Sequence, residues 1–285
     1  MKRWLVFLGE RLPIHVLLIS SIGLSGSSQA LSPYPLTAMS VGLGTVLAFI
    51  FFLTMRIMDE VKDYKKDQIA HPERPLSRGL LSLDDAKRAV ATCFLLALTL
   101  GLGTLVLGYH LAAGLYLFSC FYLWLMYKEF YVSVWLEARV MLYTITHQAV
   151  MVFLSAALTT LVYPDLESPF DILRPGLHFL GIFFTFEVAR KLDPAAHPIL
   201  QTYRILYGAR KTGALLTLAC ALALAGIAIN YVYLGRSSYF LAAGPLLIIL
   251  LFPRFVDKNH KGIEGLAGLW MLFFVWTPFI VRLIG

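Results

Sequence analysis

RIMDEVKDYKKDQIAHPERPLSRGLLS, residues 56–82, is a dense polar block set between two long apolar segments, and its reading decides the rest of the chain. On a helix advancing about 100° per residue, Asp59, Glu60, Asp63 and Asp67 fall within an arc of roughly 100° and share one face. Acidic groups gathered this closely repel one another unless something cationic stands among them. Two readings meet that demand. Hard oxygen ligands without a dedicated cage suit a Mg²⁺ ion shared with substrate phosphates. Alternatively, the block is a solvated amphipathic helix whose Lys62, Lys65 and Lys66 pair with the acids.

Outward from this block the sequence is lipid-like. The 285 residues are 59% apolar and only 14% charged, which places the chain among membrane proteins. Runs long enough to cross a bilayer, roughly 20 helical residues, occur near 14–31, 36–58, 86–108, 110–127, 140–163, 172–189, 212–234, 238–256 and 263–284. The expectation is an all-α protein of nine transmembrane helices around a central cavity, one membrane domain over 1–285, with polar cap segments at about 56–88 and 190–211.

Alternate loops separate the charges. They hold 21 of the 24 Lys and Arg residues, and only Arg174, Arg236 and Arg282 fall on the other side. Positive charge in short loops stays on the cytoplasmic side, so the amino terminus and both polar caps are expected there. Ser27, Ser28 and Ala30 after the first apolar run imitate a signal-peptide cleavage site; the later loops keep their sides with or without that span. Topology and anionic headgroups account for the net charge of +7 without nucleic acid. Cys93, Cys120 and Cys220 lie apart inside apolar spans and read as packing residues, not as a metal or disulfide framework. The connection YPDLESPFDILRPG, 163–176, reads as a plain loop.

From Asp59 onward the order Asp-Glu-x-x-Asp-x-x-x-Asp, followed by HPERPLSRG, resembles the first aspartate-rich motif of the UbiA superfamily of intramembrane prenyltransferases. That motif is written N-D-x-x-D-x-x-x-D with R-P-L-x-x-G behind it. Asp59 stands for the Asn and Glu60 for the first Asp, while Asp63, Asp67, Arg74, Pro75, Leu76 and Gly79 match. The second family motif, Asp-x-x-x-Asp near the end of helix six, is altered: FEVARKLDPAAHP supplies Glu187 and Asp193 with Arg190 and Lys191 between them. Thr202 and Gly208 then return to the family register.

The resemblance implies a Mg²⁺-dependent prenyl transfer from a prenyl diphosphate to a hydrophobic acceptor in the membrane. It implies Asp59, Glu60, Asp63, Asp67, Glu187 and Asp193 as metal ligands, with Asp63 and Asp67 central to the chemistry. Arg74, Arg78, Lys128, Arg139, Arg190 and Lys191 are the candidates to hold diphosphate, Arg being suited to bidentate contact. Positive-inside topology alone also explains basic residues at those places. Polar residues within spans are costly unless they face a cavity or bond to a neighbouring helix; His147 and Gln148 are in this position, and His147 is a candidate substrate contact. Among Tyr122, Trp124, Tyr127, Phe130 and Tyr131, Tyr127 is the candidate to shield an allylic cation, against an interfacial belt as the alternative. Other readings remain open. They are a terpene cyclase, a transferase of the branch moving phosphoribose to a polyprenyl phosphate, which DQIAHPERP resembles, and a non-enzymatic lipid-binding or transport protein.

Overall fold

A computed structural model describes residues 2–11, 13–163 and 168–284. The described residues form twelve α-helices and two short 3₁₀ turns, Glu129–Tyr131 and Pro198–Leu200. An amphipathic helix α1 (Lys2–Arg11) leads into α2 (Ile14–Ala30), α3 (Ala38–Ala70), α4 (Leu83–Val106) and α5 (His110–Tyr127). A short α6 (Ser133–Glu137) precedes α7 (Val140–Thr159), α8 (Pro169–Ala189) and α9 (Tyr203–Ile229). The four-residue α10 (Tyr231–Leu234), α11 (Ser237–Phe255) and α12 (His260–Ile284) complete the bundle. Eight helices are long and apolar enough to span a bilayer, and the bent pair α1 and α2, at 56° to one another, makes up to nine.

Part of the expected loop at 163–176 is helical, because Pro169 sits in the first turn of α8, where its missing N–H costs nothing. Residues 164–167 lie outside the described chain. The polar cap at 190–211 is likewise partly helix, since α9 starts at Tyr203 under a Thr202 cap, whose hydroxyl accepts from the Ile205 N–H. Gly208, at φ +69°, then breaks the helical path, a conformation open to glycine without a Cβ penalty.

Interior contacts in a bilayer come from close backbone approach and polar side chains more than from apolar burial. The α8–α9 pair shows the first device: a Cβ at Gly226 would stand 2.8 Å from the Leu177 carbonyl oxygen. Helix α2 shows the second. Ser27 donates to the Val275 carbonyl at 2.6 Å, Ser28 bonds Ser155 at 2.9 Å, and Gln29 donates to the Ser40 carbonyl at 3.1 Å. The serines that imitate a cleavage site thus join α2 to α12 and α7.

The two ends of the bundle differ in chemistry. At one end Arg174 reaches Asn230 Oδ1 at 2.8 Å and the Leu31 carbonyl, and Arg282 reaches the Tyr34 carbonyl. At the other end the long helix α3 runs on past its apolar part and places the aspartate-rich block. An open apolar groove of about 590 Å³ between α1, α3 and α4, lined by Trp4, Leu8, Leu53 and Cys93, contains none of the motif's acids.

Candidate active site

The four acids of the motif do lie on helix, but they divide into two pairs. At about 100° per residue, Asp59 and Asp63 stand at roughly 0° and 40°, and Asp67 and Glu60 at roughly 80° and 100°. Glu60 and Asp67 are each only 4% exposed. Arg11 holds the first, with Nη2 at 2.6 Å and Nε at 2.8 Å from Oε1. Arg74 holds the second at 2.6 Å. By contrast, among the described residues Asp59 has only Arg56 at 3.8 Å, and the exposed Asp63 has neither ion pair nor hydrogen bond. Lys62 and Lys66 do not pair with these acids; they bond Glu129 at 3.1 Å and Glu137 at 2.9 Å.

The turn after α3 explains the rest of the motif. Arg74 folds back on Asp67, Leu76 enters the core at 3% exposure, and Gly79 takes φ +77°, which leads into the Ser82 cap of α4. Asp84 and Asp85 lie in the first turn of α4, where acids favour the helix dipole. Arg78 is drawn elsewhere, donating to both oxygens of Glu10 on α1 at 2.9 and 2.7 Å.

Helices α5 and α7 supply a second wall. Lys62 reaches across to Tyr143 Oη at 2.9 Å, His147 Nε2 at 3.2 Å and Glu129 Oε1 at 3.1 Å. These contacts assign the imidazole tautomer: Nδ1, 2.7 Å from the Tyr143 carbonyl, must donate, so Nε2 accepts from the ammonium. Glu129, Phe130 and Tyr131 all have positive φ, at 49°, 53° and 60°. Left-handed backbone costs a non-glycine residue about 1–2 kcal/mol, so something must hold this turn. The Lys62–Glu129 ion pair does so, with the Phe130 ring edge-on to Tyr122 at 5.4 Å and to His147 at 6.1 Å. Such strain collects at functional sites.

The end of α8 forms the third wall. Glu187 accepts from Arg190 at 2.5 Å and from Lys191 at 2.6 Å, and Lys191 lies 5.2 Å over the Tyr203 ring. Helix α3 packs against the Pro198–Leu200 turn behind α8, so the two polar blocks meet at one end of the bundle, with the Arg190 charge acting on Asp59 and Asp63. Asp193 turns away, accepting from the Ala195 N–H at 2.8 Å and facing His260 at 3.8 Å. Among the described residues no three acidic, His or Cys side chains converge to hold an ion alone. The underpaired Asp59 and Asp63 are hard oxygen donors that fit a Mg²⁺ ion sharing its shell with water and substrate phosphates.

Residues 16–277 match the UbiA prenyltransferase family. The chain belongs to that family. No curated protein matches it. Its fold is similar to that of a UbiA homologue from Aeropyrum pernix K1, at TM-score 0.68 and 16% identity over 94% of this chain and 98% of that one. A digeranylgeranylglyceryl phosphate synthase structure compares at 0.64 and 16% over 99% of both chains. A Cd²⁺-bound UbiA homologue from Archaeoglobus fulgidus compares at 0.62 and 11% over 98% and 99%.

Other residues expected at the site of this UbiA protein make contacts with neighbouring rings. Lys128 stacks on Trp124 and Tyr127, at 4.8 and 5.0 Å from the ring centroids, so that the Tyr127 face carries a cation of the protein itself. Arg139 lies 4.3 Å over Trp135 and donates to its carbonyl. Arg11, Lys62, Glu129 and Tyr143 were not singled out in the sequence as site residues. Lys62 had a signal, as a lysine inside the motif. Arg11 and Glu129 had none, since their partners lie 49 and 67 residues away.

Proposed function

We propose that this chain transfers a prenyl group from an allylic prenyl diphosphate to a hydrophobic or membrane-associated acceptor, at the end of the bundle where α3 packs against the Pro198–Leu200 turn that follows α8. The observation that carries the reading is the Asp59–Asp63 pair. In a site where Glu60, Asp67 and Glu187 are all neutralised by arginine or lysine within 2.6 Å, these two carboxylates keep oxygens for an exogenous cation. A Mg²⁺ ion held there would neutralise diphosphate oxygens and make the diphosphate a better leaving group.

The chain's own residues do the remaining work. Arg190 and Lys191 present positive charge to the diphosphate from the α8 side, taking over charge that a second metal would otherwise supply. The prenyl tail lies among apolar helices, which exclude water from the allylic cation. Tyr122 and Phe130 offer ring faces and edges near that path. The basic loops orient this mouth toward the cytoplasm. The fold neighbour described as a digeranylgeranylglyceryl phosphate synthase makes a C20 donor the first to try.

The test is diphosphate release from geranylgeranyl diphosphate by the protein in nanodiscs, with Mg²⁺ or EDTA, and with or without membrane lipid extract. Release that needs Mg²⁺ and extract, with a prenylated lipid by mass spectrometry, supports transfer. A hydrocarbon product without extract indicates a cyclase. No Mg²⁺-dependent release with any donor from C10 to longer chains would leave a lipid-binding protein.

A further inference from the structure

We infer that Arg11, assisted by Glu10, is a positioning residue for the Asp59–Asp63 pair, which makes α1 a working part of the site. This rests on the proposed role of that pair in binding a metal-bound prenyl diphosphate.

The inference starts from what fixes the rotation of the motif's helix about its own axis. Up to Met58, α3 is fixed by apolar burial, with Leu47, Phe51, Ile57 and Met58 in the core. Beyond it, from Asp59 to Ala70, the only buried residues are Glu60 and Asp67. Both are charged: Asp67 is held by Arg74, and Glu60 by Arg11, with Arg56 of its own helix at a looser 4.0 Å. The azimuth of this segment is therefore set chiefly by polar contacts, these two ion pairs together with those of Lys62 to Glu129 and Lys66 to Glu137, with Val61 and Tyr64 only partly buried against the core. Asp67 is held from its own turn, by Arg74 seven residues on. Glu60 is held by a separate helix, 49 residues back in the chain.

The grip on Glu60 is specific. Arg11 directs two donors at Oε1, while among the described residues the buried Oε2 has no hydrogen-bond partner, so the carboxylate's polar contacts all run toward arginine. Glu60 lies next to Asp59 and about 60° from Asp63 around the helix; holding one side chain aims the other two. The last turn of α1 makes two further contacts with the block. Arg56 donates to the Arg11 carbonyl at 3.3 Å, which satisfies an acceptor at the helix end, and Glu10 holds Arg78 beyond the turn. Helix α1 thus touches both ends of the motif. Its own seat is small: Phe7 is its one buried residue, packed edge-on with Trp4 at 5.5 Å, while Leu5 is 65% exposed.

The test is equilibrium binding of radiolabelled geranylgeranyl thiolodiphosphate to the full chain in nanodiscs, titrated with Mg²⁺. Arg11→Gln is expected to raise the Mg²⁺ concentration at half-saturation about tenfold, with the analogue's Kd at saturating Mg²⁺ changed less than about twofold. Glu60→Gln and the double variant should show the same defect as Arg11→Gln, since each removes one anchor, and Arg11→Lys should recover most of it. A purely structural role would lower the melting temperature and leave half-saturation unmoved, which overturns the inference. So would additive defects in the double variant, which would make Glu60 a ligand in its own right. If the parent shows no Mg²⁺-dependent binding, the proposed function fails and the inference with it; if only the variants behave like the parent, the inference alone fails.

Discussion

The α3 and α8 walls both mix acids with basic residues, yet they resolve the mixture in opposite ways. On α8, Glu187 is neutralised by Arg190 and Lys191 within one helical turn, so local sequence leaves that wall with net positive charge. On α3, neutralisation comes from Arg11 and Arg74 and is selective, taking Glu60 and Asp67 while leaving Asp59 a loose pair with Arg56 at 3.8 Å and Asp63 without one among the described residues. One wall is left with carboxylate oxygens for a cation, the other with cations for an anion. A metal–diphosphate complex is complementary to that division. Under the proposed function, the altered second motif would suit phosphate binding better than metal binding, since Lys191 stands four residues after Glu187, where the family's second carboxylate falls.

The division is open to attack at several points, beginning with the largest effect. Asp63→Asn should reduce Mg²⁺-dependent binding of the thiolodiphosphate analogue by at least about a hundredfold, roughly 2.7 kcal/mol, in a protein that still elutes as a folded species. Retention of parental binding at limiting Mg²⁺ would refute the open pair. Lys62→Met should destabilise the protein by about 3 kcal/mol in thermal melts, because it strands the Glu129 carboxylate and releases the left-handed turn. Adding Glu129→Gln should return much of that loss, and a double variant as unstable as the single would assign the stability of the turn to other contacts.

On the α8 wall, Lys191→Ala should weaken analogue binding about ten- to a hundredfold, the cost of a charge-assisted contact of roughly 1.5–3 kcal/mol. Lys191→Asp should instead steepen the Mg²⁺ dependence. If both bind like the parent, that wall does not meet the diphosphate.

The smallest effect concerns α1. The hydrogen bond from Arg78 holds the Glu10 carboxyl below its ordinary value of 4.5. A depressed acid contributes stability above its unfolded pKa and loses it as pH falls through the folded one. The melting-temperature gap between the parent and Arg78→Gln should therefore be present at neutral pH and close as pH falls below 4.5. A gap independent of pH would show that the ion pair is not its source.

Much of this was legible in the amino-acid sequence, and the reasons are local. Apolar runs set the spans because a bilayer demands internally bonded helices of a fixed minimum length. Proline, serine and glycine set the motif's turn, Gly79 and Gly208 taking the positive φ that they alone take easily. The Glu187 pairs with Arg190 and Lys191 were within reach too, being three and four residues apart. Only the tertiary structure decided which carboxylates are free. A helical arc of roughly 100° groups Asp59, Glu60, Asp63 and Asp67 together, but their fates depend on Arg11 and Arg74 arriving at one edge of the arc and not the other. Sequence spacing fixes an angle about a helix axis. Which neighbour stands at that angle is fixed by packing between elements dozens of residues apart.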